Sequence, residues 1–256
     1  MLFNLLKNEV YKLLKKKKLY IFMLIITGMT LIPIIVSKFD GGDIVFKVNT
    51  LPLENLAWST EMIIPIFISI LVADMITNEY SEGTMKLNLV NGVSRTELLF
   101  SKVLTLFLVI TGLVLFTMAV SYVSGSFFLE WGVPFEFNDL LLSEGSGILY
   151  TFILYLLSVI PLTAYSLIII FLGLKLESGG SLVGVSIGII FIMNTIRQLS
   201  SIFRPFIISD YFNTGYLLTP MGIQNSLSIF IITSGIYFII FLSLSINNLL
   251  KKDIVR

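Results

Sequence analysis

The sequence predicts an all-α, polytopic membrane protein with six transmembrane helices. Of its 256 residues, 56% are hydrophobic and only 13% are charged, and the mean hydropathy is +0.95. A soluble domain normally has about 25% charged residues, which keep its surface in water. An exterior with so little charge is suited to lipid, and a spanning helix needs about 20 mainly apolar residues.

Six stretches meet this requirement, and together they form one transmembrane domain over residues 1–256. They are predicted at 19–36, 58–78, 103–123, 149–172, 181–196 and 225–246. The first follows a run of lysines and lacks the small-residue exit of a cleaved signal, so we interpret it as a retained helix.

The distribution of basic residues predicts that both termini are cytoplasmic. With this orientation, 13 of the 17 lysines and arginines lie on the inner side and four on the outer side. Short cytoplasmic loops are enriched in lysine and arginine, and this bias sets the orientation of polytopic proteins.

Residues 1–18 form a predicted amphipathic helix along the inner leaflet, preceding the first span. Apolar residues recur at helical spacing, and several lysines lie off that stripe. We expect membrane lipid as its partner, since the lysines can extend toward anionic headgroups. It is interpreted either as a topology anchor or as an elbow helix that also contacts a cytoplasmic partner.

Composition excludes several other functions. The chain contains no cysteine and no histidine, so it lacks thiolate chemistry and the commonest general base and metal ligand. We predict no metal site, no catalytic residue and no cofactor in this chain. A net charge of +1 gives no electrostatic basis for binding nucleic acid.

The connection after the second span, residues 79–95, has the most informative pattern. Gly83 permits a break in the helix, and Thr84 can cap a short helix that follows. Met85 and nearby leucines would give that helix an apolar side facing the cytosol, as expected of a docking element. Ser94 can cap the third long helix in a capping box with Glu97.

Here the chain resembles the ABC-2 family of transporter permeases. That family has a Glu, then Gly-Thr, a short helix, a small residue with Arg, and a later Lys. Glu79, Gly83-Thr84, Ser94-Arg95 and Lys102 follow this order. The chain has Gly92-Val93 where the family often has Pro, and its tail Lys251-Lys252-Asp253-Ile254 is similar to the family's closing motif.

The resemblance implies that residues 79–95 are a coupling helix that docks on a separate ABC ATP-binding subunit. Two permease chains, in a homodimer or a heterodimer, would assemble with two such subunits, which hold the ATP and Mg. The chain has no G-x-x-x-x-G-K-[ST] phosphate-binding loop. The residues expected to couple to the ATPase are Glu79, Glu82, Gly83, Thr84 and Arg95. Alternatively, Glu79 and Arg95 are solvated interfacial charges.

Four further residues are candidates for a substrate path or gate: Glu61, Asn194, Arg204 and Asp210. Charges at bilayer depth are costly and are usually functional, although Glu61 is close enough to an interface to be simply hydrated. Residues 197–224 are too apolar for a free loop, and the resemblance implies an extracellular, re-entrant segment. Arg204 and Asp210 are expected to pair there.

The resulting functional prediction is a permease that exports an amphiphilic substrate across a bacterial cell membrane. An antimicrobial peptide or a drug fits the compact size and acidic outer loops. A lipid or sodium exporter of the same family, and a non-transporting scaffold or sensor, remain open as alternatives.

Overall fold

The computed structural model describes residues 2–39, 47–85, 92–132, 135–137, 140–142, 144–199, 201–215, 217 and 227–251. Seven long helices make up most of this part of the chain. They are α1 (Leu2–Lys15), α2 (Lys17–Phe39), α3 (Leu51–Ser81), α4 (Arg95–Phe128), α5 (Glu144–Gly173), α6 (Gly179–Leu199) and α7 (Leu227–Lys251).

Six of these helices, α2 to α7, are long and apolar enough to cross a membrane. The predicted fold class is therefore confirmed as a helical, multi-pass membrane protein. Lys18 near the start of α2 contacts Asp74 near the end of α3, Glu79 of α3 contacts Lys102 of α4, and Arg95 at the start of α4 contacts Leu249 near the end of α7. The start of α2 and the end of α7 therefore lie at the same end of the bundle. We call this end the proximal face and the opposite end the distal face.

The bundle is organised around α5, which is the most buried span, with α3 second. Stacked rings of Phe22 and Phe67, 4.0 Å apart, join α2 to α3. Tyr155 of α5 donates a hydrogen bond to the Pro52 carbonyl near the start of α3. The other spans bury a much smaller share of their surface inside the chain, which leaves apolar faces for lipid or for another chain.

Several hydroxyl side chains inside the bundle are satisfied locally. Thr30, Thr117 and Ser186 each donate a hydrogen bond to the carbonyl four residues earlier. A hydroxyl bonded in this way does not present an unpaired donor to a low-dielectric interior. Ser234 and Ser245 of α7 are buried without such a partner among the described residues.

Helix α3 is longer than expected and is not uniformly α-helical. It begins at Leu51, not near residue 58, and includes two π-helical turns, Ser59–Ile63 and Ala73–Thr77. Such turns are rare and often occur at functional sites. Each of the two π turns in α3 contains one acidic residue, Glu61 in the first and Asp74 in the second.

Other boundaries also differ from the sequence-based expectation. Lys102, just before the predicted span 103–123, lies within α4, and Arg197 lies in the last turn of α6. The third-to-fourth connection contains a short antiparallel hairpin, β1 (Phe135–Phe137) and β2 (Leu140–Leu142), with Glu136 opposite Leu141. These strands were not predicted from the sequence of this connection.

The arrangement of the two faces can be tested by labelling, because the chain has no native cysteine. Ser81→Cys is exposed at the proximal face and Glu130→Cys is exposed at the distal face. In intact cells, we expect an impermeant maleimide to label Glu130→Cys, and Ser81→Cys only after permeabilisation. Labelling of both positions from one side would contradict the six-span arrangement.

Candidate functional site: a buried ion cluster at the proximal face

Four charged side chains from three helices meet at the proximal face. Lys102 of α4 contacts Glu79 of α3 at 2.6 Å and Glu9 of α1 at 3.1 Å. Lys12 of α1 contacts the same two carboxylates, Glu9 at 3.0 Å and Glu79 at 3.4 Å. We call these four residues the ion cluster. Two ammonium groups alternate with two carboxylates, so the formal charges cancel.

Three of the four members of the ion cluster are largely removed from solvent. The Lys102 side chain is 0% exposed, Glu9 is 5% exposed and Glu79 is 16% exposed, whereas Lys12 is 39% exposed. An isolated charge at such a place would be very unfavourable, and pairing with good geometry is what makes it tolerable. The cluster therefore fixes α1 against the ends of α3 and α4.

The neighbouring opposite charges favour the charged forms of Glu9 and Lys12, the two members of the cluster on α1. Burial raises the pKa of Glu9, but the charges of Lys102 and Lys12 and their hydrogen bonds outweigh it, so that its pKa is lowered overall. Burial lowers the pKa of Lys12, but Glu9 and Glu79 outweigh it and the net pKa is raised. The contribution of Glu9 to stability is present above the ordinary carboxyl pKa and is lost as the pH falls through its lowered value. The contribution of Lys12 is present below the ordinary lysine pKa and is lost as the pH rises through its raised value.

Asp74 forms a second ionic contact, at the bend between α1 and α2. Both of its carboxylate oxygens accept hydrogen bonds from Lys18 at 2.9 Å, and Lys16 lies 3.6 Å away. Asn78, one turn further along α3, donates to the same carboxylate. Asp74 is buried, so it is not a merely hydrated interfacial charge. It holds the elbow between α1 and α2 against the second π turn of α3.

The predicted coupling loop leaves α3 through a left-handed glycine. Gly83 has φ of 71°, a conformation that other residues adopt only at a cost, and it ends the helix at the position where glycine is favoured. The loop returns at Gly92, which has φ of 80°. The predicted short apolar helix between them falls largely on residues 86–91, outside the described residues.

The Thr84 hydroxyl donates to the Glu79 carbonyl at 3.1 Å, so it contributes to the end of α3. The backbone N–H groups that it was predicted to cap lie beyond Met85, outside the described residues. One detail of the loop differs from the expectation. Met85 is 1% exposed and packs in the core of the bundle, not toward the cytosol. The apolar side expected of this segment is, at its first residue, turned inward.

The start of α4 is anchored to the end of α7. Arg95 donates hydrogen bonds to the carbonyls of Leu249 and Leu250, at 3.0 and 2.9 Å. A cation at a helix C-terminus satisfies free carbonyls and interacts favourably with the helix dipole. The Ser94–Glu97 capping box is present as predicted. The tail motif beyond Lys251 lies outside the described residues.

The five predicted coupling residues thus divide into two groups. Glu79 and Arg95 make contacts within the chain, which excludes the interpretation that they are simply solvated. Glu82 and Thr84 are exposed, and partly buried Gly83 lies between them. Sequence analysis missed Glu9, although it is the only acidic residue in the first 39 positions and lies three residues before Lys12.

The four candidate path residues lie toward the distal face but do not form one site. Arg204 and Asp210 form the expected pair, 2.8 Å apart, beside two short 3₁₀ helices, Arg204–Phe206 and Ile208–Tyr211. Glu61 pairs instead with Arg197, with contacts of 3.2 and 3.3 Å. Glu61 and Asn194 line a common cavity between α3 and α6.

Among the described residues, no group of three or more His, Cys, Asp or Glu side chains is arranged to hold a metal ion. Glu61 and Asp74 lie in different π turns of α3 and are not paired with each other. Both acids are instead held in ion pairs that connect α3 to other helices.

Replacement of Lys102 tests the ion cluster. Lys102→Met keeps most of the side-chain volume but leaves two carboxylates with one ammonium, so we expect a loss of about 3–5 kcal/mol in unfolding free energy. The double variant Lys102→Met/Glu9→Gln restores neutrality and should recover part of that loss. Thermal unfolding in detergent measures both.

Lys7→Gln is the control for this test, because Lys7 is an exposed lysine of α1. It should leave the unfolding temperature unchanged. If Lys102→Met were no less stable than Lys7→Gln, the cluster would not be a structural joint.

Comparison with known proteins identifies a family without assigning an activity. A family model described as a protein of unknown function, DUF2705, matches residues 52–255, which leaves out residues 1–51 and the final residue. Comparison with curated proteins gives no match. The chain belongs to the DUF2705 family.

Proposed function

We propose that this chain is the permease subunit of an ABC exporter in the bacterial cell membrane. Two such chains would assemble with two ABC ATP-binding subunits, which bind ATP and Mg and supply the energy. The chain itself is not an enzyme in this proposal. Its task is to convert movement of a cytoplasmic loop into movement of membrane helices.

The observation that carries the proposal is the way the loop between α3 and α4 is attached. On one side, Glu79 at the end of α3 is bonded to Lys102 of α4 and to Lys12 of α1. On the other side, Arg95 at the start of α4 is bonded to the end of α7. A force on this loop would therefore reach four helices through short, buried or partly buried contacts.

The elbow helix fits the same proposal. The bend at Lys16 separates α1 from α2, and Asp74 bonds Lys16 and Lys18 on either side of residue 17. A displacement of α3 would pull on this bend and tilt the first span. An alternating-access mechanism requires a network of contacts between helices, such as these ion pairs, to adopt two discrete arrangements.

The orientation and localisation also belong to the proposal. The excess of lysine at the proximal face favours its placement in the cytoplasm, where an ATP-binding subunit could reach the loop. An amphiphilic substrate, with an antimicrobial peptide or a drug as the leading candidates, fits the apolar helix faces that the chain exposes.

Charge reversal at Glu82 tests the docking role without disturbing the ion cluster, which a change at Glu79 would do. Glu82 is exposed beside the loop, so Glu82→Lys should leave folding intact and weaken binding of the ATP-binding subunit by about tenfold. Co-purification with an ABC ATPase encoded beside the gene, and its ATP turnover, are the measurements.

Glu54→Lys serves as the matched control, since Glu54 is an exposed acid at the other end of α3. It should bind the ATPase like the native chain. Equal binding by Glu54→Lys and Glu82→Lys would exclude Glu82 from the docking surface, and failure of the native chain to bind any such ATPase would refute the proposed function.

A second test uses the backbone at Gly83. A Cβ at this glycine meets no neighbouring atom, so Gly83→Ala acts only through its positive φ and should cost about 1–2 kcal/mol locally. We expect export to fall while insertion and ATPase binding persist. Gly112→Ala, at an open helical glycine of α4, should export normally, and unchanged export by Gly83→Ala would argue against a defined loop geometry.

A further inference from the structure

The cavity between α3 and α6 combines an apolar lining with one acidic side chain. Its volume is about 340 Å³, and its lining includes Trp58, Glu61, Met62, Phe191 and Asn194 together with three isoleucines. Most of these side chains are apolar, and the cavity lies at the distal half of the two helices. It is distinct from the ion cluster and from the Arg204–Asp210 pair.

The charged side chain that lines the cavity is the carboxylate of Glu61, whereas Arg197, its partner, is not among the lining residues. Arg197 contacts both carboxylate oxygens, but a carboxylate has about four lone-pair positions and retains acceptor capacity. Asn194 also lines the cavity, and its Oδ1 atom is enclosed, with no hydrogen-bond partner in the described part of the chain. A ligand that donates a hydrogen bond or carries positive charge would satisfy the Glu61 carboxylate.

The walls of the cavity favour the same kind of ligand. Trp58 and Phe191 are both exposed and line it. Aromatic faces attract cations, and the attraction grows when water is excluded. Isoleucines and Met62 supply apolar surface for a hydrocarbon body. An anion would meet a carboxylate and two electron-rich rings, so charge complementarity argues against it.

We propose that this cavity binds a hydrophobic organic cation, with Glu61 as its counter-charge. The first π turn of α3 presents Glu61 to the cavity, and Arg197 neutralises the carboxylate when no ligand is bound. A cation would share Glu61 with Arg197. The identification of this ligand as the exported substrate rests on the proposed function, but binding itself does not.

The test measures binding of radiolabelled tetraphenylphosphonium to the purified chain in nanodiscs, without an ATP-binding subunit and with empty nanodiscs as background. Tetraphenylborate, of similar size and opposite charge, is the competitor. Glu61→Gln should weaken binding of the cation by about tenfold or more. Glu54→Gln, an exposed acid of the same helix outside the cavity, should bind like the native chain.

Two further variants separate binding from folding. Arg197→Gln removes the competing cation and should bind tetraphenylphosphonium at least as tightly as the native chain. Glu61→Gln/Arg197→Gln leaves no unpaired ion and should lose binding as the single Glu61 variant does. Native affinity in this double variant, or equally effective competition by tetraphenylborate, would overturn the proposal. Because the ATPase is absent, a negative result here leaves the proposed function standing, and loss of ATPase binding elsewhere leaves this site standing.

Discussion

The proximal half of this structure depends on one constraint: Lys102 is charged, fully enclosed and located in a transmembrane helix. Its ammonium group cannot reach water, so carboxylates must be brought to it. Glu79 comes from the end of α3 and Glu9 from α1, and Lys12 balances the second negative charge. The position of α1 follows from this requirement, because no other acid in the first 39 residues could complete the cluster. Packing of apolar side chains alone could not specify that register, since lipid competes equally well for apolar surface.

The transmembrane spans can be predicted well from the sequence, whereas the ion pairs between helices cannot, and the difference has a physical cause. A span is a local property, since twenty apolar residues must be helical in lipid whatever their neighbours, and all six were found. The predicted spans 58–78 and 103–123 begin several residues after α3 and α4 begin, because polar residues such as Asn55 and Lys102 are typical of loops. In the structure, the partners of these two side chains lie in other helices. Likewise, Glu79 and Lys102 were both recognised from a motif, but their pairing depends on how α3 meets α4. Arg197 was assigned to a connection, and its bond to Glu61 spans 136 positions.

Helix α3 links the two regions that the charges define. Its second π turn holds Asp74 against Lys18, and its first π turn holds Glu61 against Arg197. The two acids are 13 positions apart, which corresponds to about 20 Å along a helix. A π turn is a local widening of the helix and a common site of helix rearrangement or function. Both acids are therefore placed where the backbone of α3 departs from regular α-helical geometry.

This arrangement gives a physical reason for coupling between the proximal and distal faces. Movement of the loop after Glu79 would strain the Glu79–Lys102 and Asp74–Lys18 contacts, which are short and partly buried and so resist gradual stretching. The strain can be relieved if α3 shifts along its axis, and the same shift would change how Glu61 meets Arg197 on α6. A cation bound at Glu61 in the distal cavity would also weaken the Glu61–Arg197 contact. Under the proposed function, ligand occupancy at the distal cavity and loop position at the proximal face would then bias the same helix, which is the reciprocal relation that thermodynamic linkage requires of two coupled sites.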